Sequence, residues 1–232
     1  MAASPISLAF IFLFFFAVIE RSQSQSQSVD FIYNGFNYST NSYPELKREG
    51  ASIIKPSGAL RLTNRTTNVT GHAFYPDPIK MLHTSLSTRT LSSFNTSFVF
   101  SIVPPADSGS GGYGLAFVIS PSPQFPGAAN GHYLGIFNSS TDDKSSNHIF
   151  VVEFDTVNGF KGDADTKGNH VGININSMSS VASKPAYYYY KDGTNATEEL
   201  ELEDGKPVRA WIEYDGVKSE VKVYTVLHHE WN

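Results

Sequence analysis

Two carboxylates spaced two residues apart open the chemical reading of this chain. In Val151-Val-Glu153-Phe-Asp155-Thr156, a strand would project Glu153 and Asp155 from one face, because alternate residues of a strand share a side. Two adjacent anions repel unless something positive lies between them. Asp163 and Asp165 follow, and Asn169-His170-Val-Gly-Ile then starts another alternating segment. Oxygen ligands suit Ca²⁺, and carboxylates joined by an imidazole suit Mn²⁺ or a similar ion. A divalent metal site is one reading of these residues. A solvated acidic loop with a capping histidine is the other.

The same pair invites an enzymatic reading. Some jelly-roll glycoside hydrolases carry a Glu-x-Asp-x-x-Glu strand, and retaining hydrolysis needs two carboxyls about 5–5.5 Å apart. Here the position five after Glu153 is Asn158, so the second catalytic carboxylate is missing. The chain also lacks a Gly-x-Ser-x-Gly elbow, a phosphate loop and a His-Glu-x-x-His helix. Hydrolysis is the least supported reading, and the chain is expected not to be an enzyme.

Short strands must position these groups. Leu115, Phe117 and Ile119 alternate with Ala116 and Val118, and Val171, Ile173 and Ile175 alternate with Gly172, Asn174 and Asn176. Phe98–Val103 and Ile149–Phe154 are apolar or β-branched runs bounded by turn residues. Trp211–Tyr214 and Glu220–Tyr224 alternate around Asp215-Gly216, a hairpin turn signal. Tyr187–Tyr190 reads as an edge strand or packing element. No long stretch repeats with helical period, so no substantial helix is expected. Many short strands between turns predict an antiparallel sandwich or barrel.

Bulk properties narrow the class. The chain has 232 residues with 13% aromatics, which suits one all-β domain. Its net charge is −5 and it has no basic run, so neither a nucleic acid nor an anionic membrane is an expected partner. Ile6–Ile19 is apolar and dominated by Phe, too short to span a bilayer, and is followed by a polar stretch. Residues 1–24 therefore read as a secretory signal peptide cleaved near Ser22–Ser24, and no other segment reads as a membrane span. There are no cysteines, so the core alone must hold the domain. Asn-x-Ser/Thr acceptor sites for glycosylation occur at Asn37, Asn64, Asn68, Asn95, Asn138 and Asn195. They agree with an exported protein and should lie on loops or solvent faces.

The ordered pieces Phe31–Phe36, Gly58–Asn64, Gly71–Tyr75, Gly114–Ile119, Leu134–Phe137, Val152–Thr156 and Asn169–Ile173 together resemble the legume (L-type) lectin domain. Ser120-Pro-Ser-Pro before Tyr133-Leu-Gly, and the pair Asn169-His170, look most like the extracellular domains of plant L-type lectin receptor kinases. The resemblance implies an all-β, antiparallel jelly-roll sandwich (concanavalin A-like) of two large sheets, over residues 29–232. It also implies a domain incomplete at its C-terminus, because family domains continue beyond the Trp211–Tyr224 hairpin.

The implied activity is carbohydrate binding beside a Ca²⁺/Mn²⁺ pair. Glu153, Asp155, Asp165 and His170 match family metal ligands. The family's calcium-binding Asn falls on Gly159, leaving the adjacent Asn158 as its substitute. For the sugar, Tyr113 stands where the family has an Asp, Gly131 or His132 matches the loop whose backbone approaches the ligand, and Val157 replaces a stacking aromatic. Asn158 is again the stand-in for the displaced amide. Each lost hydrogen bond would cost about 1–3 kcal/mol, so weakened monosaccharide binding is expected. The expected partners are glycans or a small extracellular ligand, with a homodimer admitted. The alternative function is an ectodomain, or fragment of a lectin receptor kinase, that senses a non-sugar ligand.

Overall fold

A computed structural model describes residues 28–37, 43–84, 87–107, 109, 111–159, 168–189 and 197–227. The expected signal peptide, Asp163, Asp165, Tyr190 and Asn195 lie outside them. The chain divides into a short unit ending at Ile32 and a main unit from Tyr33 onward.

Among the described residues, fifteen strands make up the main unit. The first six are β1 (Lys47–Gly50), β2 (Ile53–Ile54), β3 (Leu60–Arg61), β4 (Gly71–Phe74), β5 (Leu82–Thr84) and β6 (Arg89–Leu91). The longer ones follow: β7 (Phe94–Phe100), β8 (Gly114–Ile119), β9 (Phe150–Asp155), β10 (His170–Ile175) and β11 (Ser180–Pro185). The last are β12 (Tyr187–Tyr189), β13 (Thr197–Glu199), β14 (Val208–Asp215) and β15 (Glu220–Leu227). Among the described residues, the helical segments are three-residue 3₁₀ turns, Gly131–Tyr133 and Ser145–Asn147.

Two antiparallel sheets dominate: β11-β10-β9-β8 and β15-β14-β7. The pairs β1-β4, β2-β3, β5-β6 and β12-β13 complete the described pairing. The two sheets are thus smaller, among the described residues, than the two large sheets the resemblance implies. The expected all-β, antiparallel sandwich is the architecture of the chain. The run Phe98–Val103 ends as a strand at Phe100, short of the Pro104-Pro105 pair.

Alternation along the strands builds the core between the sheets. Val208, Ala210 and Ile212 of β14 are fully buried, and Arg209, Trp211 and Glu213 turn the other way. Across from them lie Val152 and Phe154 of β9, with the Phe100 and Phe154 rings 4.8 Å apart. Such aromatic contacts add to the stabilisation from area burial.

Strand β9 is buried on both faces. Its second face, carrying Val151, packs with Ile136, Phe137, Ile149 and Met178. The covering segment, 121–149, is held by backbone hydrogen bonds of its turns and by side-chain hydrogen bonds rather than by strand pairing. Asn138 is its hub. Its Oδ1 accepts from the backbone N–H groups of Ser140 and Thr141 and from the Ser140 hydroxyl, and its Nδ2 donates to the Gly127 carbonyl.

His72 of β4 anchors the same segment from outside. Its ring meets Phe125 edge-on at 5.3 Å, and Gly135 (φ +73°) passes so close that a Cβ there would lie 2.8 Å from Nε2. Burial holds the His72 pKa below its ordinary value, against the raising effect of a Gly135 backbone hydrogen bond and the Glu49 charge. A depressed imidazole lets the unfolded chain take up the proton first. Stability from this group is therefore present above the unfolded value, about pH 6.5, and is lost as pH falls from there through the folded value. The expected result is a wild-type urea midpoint that drops more between pH 7 and pH 5 than that of His72→Gln. Parallel midpoints would contradict this assignment.

Candidate functional site

The site is built where β8, β9 and β10 come side by side. Gly114 of β8 and His170 of β10 both pair with Asp155 of β9, and Ala116 and Gly172 both pair with Glu153. Glu153, Asp155, His170 and Gly172 therefore share one sheet face. Gly172 leaves room for the Glu153 and Ser180 side chains, because a Cβ there would lie 2.5 Å from Glu153 Oε1 and 2.3 Å from Ser180 Oγ, so those side chains would have to shift.

Glu153 is 2% exposed. Its Oε1 lies 2.6 Å from Ser180 Oγ and 3.4 Å from His170 Nε2. Ser180 Oγ also lies 2.8 Å from Asn174 Oδ1, and Asn174 Nδ2 donates to the Met178 carbonyl. Ser180 and Asn174 were not singled out as site residues from sequence. Asn174 carried a signal in its alternation with Val171, Ile173 and Ile175, but Ser180 carried none.

Asp155 is half-buried, and its Oδ1 accepts the Val157 N–H at 2.6 Å. Asn158 Oδ1 accepts the Gly168 N–H, so its amide oxygen ties together the two ends of the stretch that contains Asp163 and Asp165. Asn169 is buried with φ +76°. Its Nδ2 donates to the Leu200 carbonyl and its Oδ1 accepts the Leu202 N–H. Its own N–H donates to the Asp155 carbonyl.

Among the described residues, no three His, Cys, Asp or Glu side chains are grouped closely enough to hold a metal ion. The donor chemistry on the Glu153 face nevertheless suits one. His170 Nε2 lies 3.4 Å from Glu153 Oε1, with Asp155 on the same sheet face, and a buried carboxylate is costly without a positive partner.

The loop residues expected near a ligand are brought together as well. Tyr113 precedes Gly114, whose φ of +117° and close approach to the Phe154 carbonyl exclude a side chain. The Tyr113 ring lies against His132, with centroids 4.8 Å apart at 72°. It also covers Gly131, where a Cβ would lie 3.6 Å from the ring. Gly131 has φ +69°, which favours glycine. Tyr113 remains 41% exposed, so it is neither a free loop tip nor a core residue. Thr156 steadies the base of this group by donating to the Gly112 carbonyl at 3.0 Å.

An antiparallel β-sandwich with an acidic sheet face and an aromatic loop cluster beside it defines the class. Residues 28–231 match the legume lectin domain family, and the chain belongs to that family. It is 44% identical over 195 residues to a probable L-type lectin-domain containing receptor kinase VI.1 of Arabidopsis thaliana, covering 83% of this chain and 27% of that protein. It is 35% identical to the rice L-type lectin-domain containing receptor kinase SIT2, over 83% of this chain and 27% of that one. The chain thus spans about a quarter of the length of the curated relatives it matches.

Among solved structures it is similar to winged bean acidic lectin complexed with methyl-α-D-galactose, with a TM-score of 0.61 and 29% identity. That match covers 82% of this chain and 73% of the other. The metal-free form of lectin I-B4 from Griffonia simplicifolia matches with a TM-score of 0.62 and 28% identity, over 83% and 77% of the two chains. These findings do not support a glycoside hydrolase. Asn158 stands where that pattern needs a carboxylate, and the Glu153 carboxylate is buried.

Proposed function

We propose that the chain is a carbohydrate-binding domain whose ligand rests on Tyr113 and His132, beside a divalent ion held on the Glu153 face. The observation that carries this reading is the half-exposed Tyr113 ring seated on His132 and Gly131. An aromatic ring supplies a flat apolar surface at little entropic cost, and an imidazole adds a hydrogen-bonding group beside it. Glu153, Asp155 and His170 would hold the ion, with Asp165 and Asn158 completing the set from the neighbouring stretch. The ion would supply positive charge to the two carboxylates and fix the β9 end next to Gly114. Ca²⁺ and Mn²⁺ fit this donor set.

The chain is read as exported, with residues 1–24 as its leader, and as working outside the cell. A role as a ligand-sensing ectodomain is supported by its similarity to proteins named as lectin-domain containing receptor kinases. A small non-sugar ligand is the second reading, favoured by an aromatic side chain at position 113. Pairing of two copies is part of the same proposal.

The test is a glycan array with Ca²⁺ and Mn²⁺ present, followed by titration of the best hit against Tyr113→Ala. Loss of the ring should weaken binding about tenfold or more, equivalent to about 1.4 kcal/mol. An array with no bound glycan, or an unchanged affinity in Tyr113→Ala, would overturn the sugar reading.

A further inference from the structure

Asn68, within the acceptor tripeptide Asn68-Val-Thr70, lies beside the proposed ligand site. It is exposed and has φ +60°, a left-handed conformation that asparagine tolerates better than most residues. Its carbonyl accepts a hydrogen bond from Asn130 Nδ2 at 3.2 Å. Asn130 is followed directly by Gly131 and His132, the two residues that underlie and flank the Tyr113 ring. One hydrogen bond and one peptide link therefore separate Asn68 from the ligand-facing group.

Of the other described acceptor sites, Asn37 is exposed beside Gly58. Asn138 commits its Nδ2 to the Gly127 carbonyl inside the 121–149 segment. Asn95 is exposed on β7, a strand of the other sheet. Asn64 is exposed and accepts the Thr66 N–H at 2.8 Å, on the same connection between β3 and β4 as Asn68.

We propose that Asn68 carries an N-linked glycan that covers the approach to Tyr113 and His132. The glycan narrows the site and limits access by bulky, branched ligands. In the modification, Asn68 Nδ2 attacks the anomeric carbon of a lipid-linked oligosaccharide diphosphate. The bond from that carbon to the diphosphate oxygen breaks, the lipid diphosphate leaves, and Nδ2 gives up one proton. The proposal rests on the export reading above and is independent of whether sugar is the ligand.

The experiment uses the full chain produced in plant cells. Glycopeptide mass spectrometry reads occupancy at every acceptor site. Diethyl pyrocarbonate then reports the accessibility of His132, with exposed His148 as an internal reference. Asn68 should be occupied. Trimming the native protein with an endoglycosidase to a single N-acetylglucosamine, or removing the site by Asn68→Gln, should raise His132 modification severalfold while His148 is unchanged. Asn95→Gln should leave His132 unchanged. An unmodified Asn68 beside occupied Asn64 and Asn95 would overturn the proposal alone. Empty acceptor sites throughout would overturn the export reading with it. Equal His132 reactivity before and after trimming would show that a glycan at Asn68 does not cover the site. The trimming arm needs no variant and so does not depend on the folding of Asn68→Gln.

Discussion

Gly114→Ala is expected to destabilise the protein by about 4 kcal/mol, combining backbone strain with overpacking. The residue sits at φ +117°, and a methyl group there would lie 2.2 Å from the Phe154 carbonyl oxygen. No flexible side chain can yield, because the obstruction is the backbone of the adjacent strand. The β8-β9 register sets Gly114 opposite Asp155, with Tyr113 next in the chain, so relief of the clash must displace one strand or the other. Urea denaturation should show the loss. A variant within about 1 kcal/mol of wild type would mean that this corner relaxes freely.

Glu153→Ala should cost about 3–5 kcal/mol, because it leaves a cavity and strands polar groups built around a buried carboxylate. Ser180, Asn174 and His170 all converge on that carboxylate or on its partner. Glu153→Gln keeps the shape and one oxygen acceptor but removes the charge, so it should cost less. The two substitutions also bear on the proposed ion. A ligand that binds only the native state raises the melting temperature. Wild type loaded with Ca²⁺ and Mn²⁺ should therefore melt lower after chelation, whereas Glu153→Gln should show little change. Identical chelator responses in wild type and Glu153→Gln would assign Glu153 to packing alone.

The sheet segments were readable because burial leaves a period of two. Leu115–Ile119, Val171–Ile175 and the Trp211–Tyr224 hairpin are all strands, although in β10 the more deeply buried set is Gly172 and Asn174 rather than Val171, Ile173 and Ile175. The pairing of Glu153 and Asp155 on one face follows from the same period, and Tyr113, Gly131 and His132 do come together.

Other features were hidden because they depend on distant partners. Ser180 acquires its role only when β10 and β11 pair with a bulge between Ile173 and Asn174. His72 is placed against Gly135 by contacts across more than sixty residues of chain. An acceptor tripeptide reads the same at Asn138 as at Asn68, yet one amide is a structural hub and the other residue is exposed. Short patterns record local chemistry, and burial is decided by the rest of the molecule.

The clamp made by Asn169 has a consequence for how this surface can diverge. It grips the chain at Leu200 and Leu202 through main-chain groups, which every residue except proline can offer in full. The side chains between and around them are therefore released from the task of docking. Leu200 and Leu202 must stay apolar because they are fully buried, but Glu199 and Glu201 carry no such obligation, whereas Glu203 accepts the Gly111 N–H. A lineage could rewrite that acidic border, and with it the charge presented to a partner, while inheriting the same attachment to the sheet.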